Sequence, residues 1–225
     1  MPAAVRLFKP AVFVAAAVPG LLLARRFWVG DLGVDPVTTL LHTSGRDALL
    51  LLLSALSVTP IRRLTGWNRI QSVRRMLGLW AFFYAFAHLS MYLVFNQLCY
   101  SLETCEFAAI WDDVVKRKFI FAGMLAFAIL SMLAFTSTQG WIRRLGRNWT
   151  RLHRLVYVAG ASAIVHFIWK EKSDYTEPLQ WGAVLTLLLA IRLFYAARKR
   201  LARSRAAGQV PARAAASRGT SSQRP

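Results

Sequence analysis

Four histidines stand among the long apolar runs of this 225-residue chain, and three of them, His88, His153 and His166, fall inside or at the edge of segments long enough to cross a bilayer. A titratable ring is costly in hydrocarbon, so an imidazole there points first to metal ligation or proton transfer. The plain alternative, for each ring taken alone, is an interfacial histidine seated among lipid headgroups. Residues 151–170 carry two of the rings, His153 near one end and His166 near the other. At 1.5 Å per residue their separation is roughly 20 Å, which sets them near opposite faces of a membrane.

The composition supplies the setting for such rings. Apolar residues make up 56% of the chain and charged ones 17%, gathered into separate runs, which describes an all-α polytopic membrane protein. There is room for five or six spans and for no separate soluble domain. The net charge of +19 would suggest a nucleic-acid partner in a soluble protein. Here the arginines and lysines lie between apolar runs and in the tail, so they read as topology signals and contacts to anionic lipid, with no nucleic acid.

The elements that must position the histidines follow in order. Residues 8–28 form a first span, interrupted by Pro19-Gly20, and read as a helix rather than a signal peptide because further spans follow. A polar connection from residue 31 to 47 holds His42, which reads as a surface or interfacial histidine. A Leu-rich span over about 45–58 is ended by Thr59-Pro60. Residues 61–75 carry five arginines and no acid, which marks the cytoplasmic side. The third span, 76–95, carries His88 in its outer half. An acidic loop with Glu103, Glu106, Asp112 and Asp113 follows, and then a fourth span, 119–136, without ionisable residues, which reads as scaffold. Residues 140–151 repeat the basic character with Arg143, Arg144, Arg147 and Arg151, and Ile142-Arg-Arg-Leu145 echoes Ile61-Arg-Arg-Leu64. The fifth span is the two-histidine segment and the sixth covers 179–197. Alternation gives six transmembrane helices with both termini cytoplasmic, in one domain over residues 1–197. Residues 198–225 form a basic tail without apolar periodicity, expected to be disordered.

His88 and His166 then fall at similar depth on different helices, in the half of the bilayer away from the basic loops. Two imidazoles at one level can hold an iron from opposite faces of a porphyrin enclosed by a helical bundle. Haem is preferred over zinc because no cysteine or carboxylate at that depth completes a tetrahedral set. Phe82, Phe83, Tyr84, Phe86, Tyr92, Phe167 and Trp169 are candidates to pack the macrocycle. Covalent c-type attachment is excluded, since Cys99 and Cys105 share one connecting segment without a C-x-x-C-H pattern; in an oxidising compartment they could pair. His153 meets no histidine at its own depth. Fourteen residues before His88 stands Arg74, beside Arg75, on nearly the same helical face. Arginine ligates iron poorly but pairs well with a haem propionate or a flavin phosphate. In an ideal helix His153 is also about 140° away from facing the same way as His166.

The motifs Thr43-Ser-Gly-Arg46, Thr59-Pro60-Ile-Arg-Arg63, Arg74-Arg-Met-Leu-Gly78, Tyr84-x-x-x-His88 and Trp149-x-x-Leu-His-Arg-Leu-Val-Tyr157, followed by His166, resemble those of the MsrQ family, formerly YedZ. These are haem-binding membrane subunits of periplasmic methionine sulfoxide reductase systems, within the ferric-reductase-like transmembrane group. The resemblance covers about residues 10–197. It implies a b-type cytochrome of the bacterial inner membrane that takes electrons from the quinone pool and passes them to a periplasmic molybdopterin-containing reductase. That partner carries out the sulfoxide chemistry and so repairs oxidised periplasmic proteins. The family is also associated with FMN. Its haem histidines carry over onto His88, His153 and His166, whereas the inner ligand that four-histidine ferric reductases have on the third helix, and any flavin or nicotinamide domain, are missing. The expectation is one haem b between His88 and His166 near the periplasmic face, with His153, Arg74 and Arg75 marking an inner site of electron acceptance. Two other readings remain: a stand-alone transmembrane ferric or quinone reductase, and a haem-free membrane scaffold or carrier.

Overall fold

The computed structural model describes residues 3–96 and 106–220, and every regular element among them is helical. Among the described residues six helical segments are long and apolar enough to cross a membrane: Leu7–Val29, Pro36–Thr65, Asn68–Phe95, Lys118–Phe135, Arg147–Lys170 and Thr176–Ala202. The elements are α1 (Ala3–Val29), α2 (Pro36–Thr65), α3 (Arg74–Asn96), α4 (Phe107–Lys116), α5 (Lys118–Phe135), α6 (Gln139–Leu145), α7 (Arg147–Leu152), α8 (Val156–Lys170) and α9 (Thr176–Thr220). One 3-10 segment, Asn68–Val73, leads into α3 and another, His153–Leu155, into α8. Cys99 and Cys105 lie outside the described residues.

The second span is much longer than its Leu-rich centre. Asp35 caps it, its side chain accepting from Thr38 N at 3.0 Å, and Pro36 occupies the first turn, where a missing N–H costs nothing. At the other end Gly66, at φ 72°, makes the left-handed cap and donates its N–H to the Arg62 carbonyl. The sequence places a stop at Pro60, but the proline is buried inside α2 and the helix runs on for five more residues. Proline removes one donor only, and helix packing in lipid tolerates that loss. The consequence matters for the site: Leu41, His42 and Ser44 are helix residues on fixed faces, where the sequence reading has a polar connection.

The core of the first unit, Met1–Leu185, is built from α1, α2, α3, α5 and α8. α2 packs chiefly on α3, and α5 on α8. Small residues sit at the centre, Ala81 and Ala159 fully buried beside Ala16 and Ala55, and this lets the helix backbones approach closely. Lipid offers no hydrophobic drive between helices, so close van der Waals packing must supply the association. Leu21, Leu22, Phe13 and Phe121 are exposed, as lipid-facing residues should be.

The second unit, Thr186–Pro225, continues α9, and its backbone is helical through Thr220. Helix thus extends through residues 198–220, where the sequence reading expects a disordered basic arm. Alanine and arginine are both strong helix formers, which accounts for helical backbone without an apolar stripe.

Candidate functional site

A cavity of about 530 Å³ opens between α2, α3, α5 and α8, with Phe107, Ile110 and Val114 of α4 also on its wall. From α3 it is lined by Ala85, His88, Leu89 and Tyr92, the spacing of one helical face. His166 of α8 faces it as well, so the two histidines matched by depth share one chamber.

Each ring is gripped by the backbone of another helix. His88 Nδ1 lies 3.0 Å from the Leu41 carbonyl of α2, and Ser44 Oγ lies 3.2 Å from the same nitrogen. Ser44 is buried and donates to the Leu40 carbonyl at 2.7 Å. A carbonyl can only accept, so Nδ1 carries the proton and Nε2 of the neutral ring keeps its lone pair. His166 repeats the arrangement: its Nδ1 lies 2.7 Å from the Phe119 carbonyl at the start of α5. Glycine lies behind both rings. A Cβ added at Gly45 would stand 3.1 Å from His88 Nδ1, and one at Gly123 would stand 2.7 Å from His166 Nδ1. Neither carbonyl nor either glycine carries a side-chain signal, and the fourth span, expected to be scaffold alone, supplies one of the two grips.

The ring centroids of His88 and His166 are 6.2 Å apart and the planes cross at 84°. Two metal–imidazole bonds of about 2.0–2.1 Å, each extended by a ring radius of about 1.1 Å, put the centroids of a trans pair about 6.3 Å apart. The residues present therefore fit a bis-imidazole iron, with both Nε2 lone pairs left for the metal. Among the described residues no group of three or more His, Cys, Asp or Glu is placed to hold a metal ion.

The aromatic lining differs from expectation. Tyr92 and Phe167 line the cavity, joined by Phe107, Phe119 and Phe127. Phe83 and Phe86 are 55% and 53% exposed, and Trp169 is 53% exposed. Phe82 is stacked on Phe127 at 6.0 Å, and Tyr84 turns toward α1. At 100° per residue, Phe83 and Phe86 fall well away from the His88 face.

Charge gathers at one end of the cavity. Arg46, Arg117 and Lys170 line it, pairing with Glu177 at 3.1 Å, Asp113 at 3.1 Å and Glu171 at 3.0 Å. Tyr92 donates to Asp113 at 2.9 Å. His42, which the sequence reading leaves on the surface, lines the same end, edge-on to Phe167 and 3.9 Å from both Glu171 and Glu177. The remaining walls are apolar, as suits a flat hydrophobic ligand with a polar edge.

His153 occupies a different environment. Its Nδ1 donates to the Trp149 carbonyl at 3.1 Å, its Nε2 lies 3.4 Å from Ser137 Oγ, and its ring stacks on Trp149 at 3.9 Å. Arg75 reaches the other side of Ser137, its Nη1 3.4 Å from the carbonyl. Arg74 begins α3. No second imidazole stacks on His153 among the described residues. The 3-10 turn at His153–Leu155 advances the chain by about 120° per residue in place of about 100°, reducing the offset from His166. Gly160 lies inside α8, where an added Cβ would meet Leu56 and Leu185.

Residues 44–164 match the family described as ferric reductase like transmembrane component, a span that includes His88 and His153 and stops two residues short of His166. The chain is 44% identical over 192 residues to a Xanthomonas campestris protein named protein-methionine-sulfoxide reductase heme-binding subunit MsrQ, covering 83% of this chain and 85% of that one. A Rhodospirillum rubrum protein of the same name is 43% identical over 196 residues, covering 87% of this chain and 91% of its own. The Xanthomonas oryzae counterpart is 41% identical over 213 residues, 91% of this chain and 95% of its own.

Proposed function

This chain belongs to the ferric reductase like transmembrane family and, within it, to the MsrQ subunits, and from that premise we propose that it is a b-type cytochrome of the bacterial inner membrane. It takes electrons from the quinone pool and delivers them to a periplasmic, molybdopterin-containing methionine sulfoxide reductase, which repairs oxidised proteins. The observation that carries the haem reading is the His88–His166 pair: two ring nitrogens freed for a metal, 6.2 Å between centroids, facing one apolar cavity.

In this reading His88 and His166 hold a single haem b, and the iron supplies one-electron chemistry between its ferric and ferrous states. The chain's own residues do the rest. Leu41 and Phe119 orient the two imidazoles through their carbonyls. Leu49, Leu52, Phe127 and Leu130 exclude water, and the charged end with Arg46 and Lys170 faces the periplasm. Arg74, Arg75 and His153 form the cytoplasmic-side cluster where electrons arrive, and the two arginines are the groups that would hold the phosphate of FMN. Both termini lie in the cytoplasm in this reading, which the excess of arginine in the loops on that side supports.

A dithionite-reduced minus oxidised spectrum of the purified protein tests the proposal. Sharp low-spin haem bands with about one iron per chain are expected, and a colourless preparation refutes it. The family match also favours a second reading, direct reduction of ferric chelates. Reduced protein that oxidises on ferric chelate as fast without the periplasmic partner as with it supports that reading.

A further inference from the structure

The grips on the two histidines share one construction. Leu41 and Gly45 are four residues apart on α2, and Phe119 and Gly123 are four residues apart on α5. In both cases a histidine from a neighbouring helix approaches the carbonyl of the first residue with Nδ1 and lies across the Cα of the second. Helical side chains lean toward the N-terminus, so the side chain at position i+4 covers the carbonyl at position i. Glycine at i+4 uncovers that oxygen, whose second lone pair can then accept from outside the helix. The α5 socket is the tighter: a Cβ on Gly123 would approach three atoms of the His166 ring at 2.7, 3.0 and 3.2 Å.

We propose that these two carbonyl–glycine sockets are positioning elements that fix how each imidazole is rotated about the iron–nitrogen direction, so that the loaded protein holds its axial rings perpendicular. The inference rests on the haem reading above and adds to it which residues set the ligand planes. A ring tied at Nδ1 and backed by helix backbone has no freedom to turn, and the two tied rings cross at 84°. In low-spin ferric haem, perpendicular axial planes leave the two iron orbitals that interact with the ring π systems nearly degenerate. Parallel planes split them. Near-degeneracy gives a strongly anisotropic paramagnetic resonance spectrum dominated by one large g value, whereas parallel planes give a rhombic spectrum with three resolved features.

The test is low-temperature electron paramagnetic resonance on the oxidised, full-length protein purified in detergent. The single large-g signal is expected, and a rhombic three-feature signal overturns the inference while leaving a bis-histidine haem intact. A wild-type preparation with no low-spin haem signal and no haem bands overturns both readings. Gly45→Ala and Gly123→Ala should each replace the large-g signal by a rhombic or high-spin one. Gly78→Ala, on the His88 helix but with nothing within 4 Å of its added Cβ, should keep it. Unchanged signals in both socket variants overturn the assignment, and where a socket variant does not fold, the wild-type spectrum alone decides.

Discussion

The hydroxyl of Tyr84 is threaded into the hydrogen-bond ladder of α1 at Gly20: it accepts from Gly20 N–H at 2.7 Å and donates to the Ala16 carbonyl at 2.9 Å. These are the two backbone groups that an unbroken helix would join to each other. Pro19 stands immediately before, and a proline ring crowds the preceding turn and opens it. The α3 tyrosine bridges the opening, and a bare glycine makes room, since a Cβ at Gly20 would stand 2.8 Å from the hydroxyl.

Tyr84→Phe should therefore lower the thermal midpoint in detergent. It leaves a buried N–H and C=O without the bridging hydroxyl, a penalty of about 1–3 kcal/mol. Haem bands should be retained, because the change touches α1 and not the cavity. An unchanged midpoint would show that the ladder closes without the tyrosine.

His88→Ala and His166→Ala should each abolish the six-coordinate low-spin spectrum. Either removes one of the two nitrogens that face the same chamber. Absorption spectroscopy of both purified variants gives the answer, and full retention of the wild-type bands in both would remove these residues as ligands.

His153→Ala should leave those bands and the iron content unchanged. Its Nε2 lies 3.4 Å from Ser137 Oγ, its ring is stacked on an indole, and no second imidazole stacks on it among the described residues. What should change is electron arrival: the rate of haem reduction by a quinol should fall while the spectrum stays. Loss of half the iron of the wild type would instead mark His153 as the ligand of a second haem.

The histidine pair was legible in the sequence because depth in a membrane is counted by residue number, and two rings at equal depth on separate spans stand out. The sockets were not. Leu41 and Phe119 act through their carbonyls, which every residue possesses, and glycines such as Gly45 and Gly123 are common in membrane helices. The length of α2 was hidden by Pro60, whose usual meaning in water, a helix stop, does not carry into packed membrane helices. His42 was missed at the other end of the same helix, for only once α2 begins at Pro36 does a helical face carry it to the cavity. Of the aromatic candidates, Tyr92 and Phe167 line the cavity, whereas Phe83 and Phe86 have the composition of a haem pocket and the helical phase of a lipid-facing surface.

The N-terminus of α2 ties the site to pH. Asp35 is held below the ordinary carboxylate value of 3.8, first by its hydrogen bond to the Thr38 side chain and then by the Thr38 backbone N–H. Its folded-state value is the lower one, so the cap's contribution is present above the ordinary value and is lost as pH falls through the depressed one. Asp174, held down in the same way by Thr176 at the start of α9, adds to the loss in the same window. The thermal midpoint should thus be flat in this respect near neutrality and drop once pH falls below the ordinary carboxylate value of 3.8. Asp35→Asn keeps an oxygen for the Thr38 N–H but has no proton to take up, so its acid drop should be shallower. Leu41 lies six residues into the same helix, and fraying from Asp35 loosens the carbonyl that orients His88. The low-spin bands of the wild type should accordingly weaken in acid before those of Asp35→Asn, and identical acid profiles for the two proteins would refute the coupling.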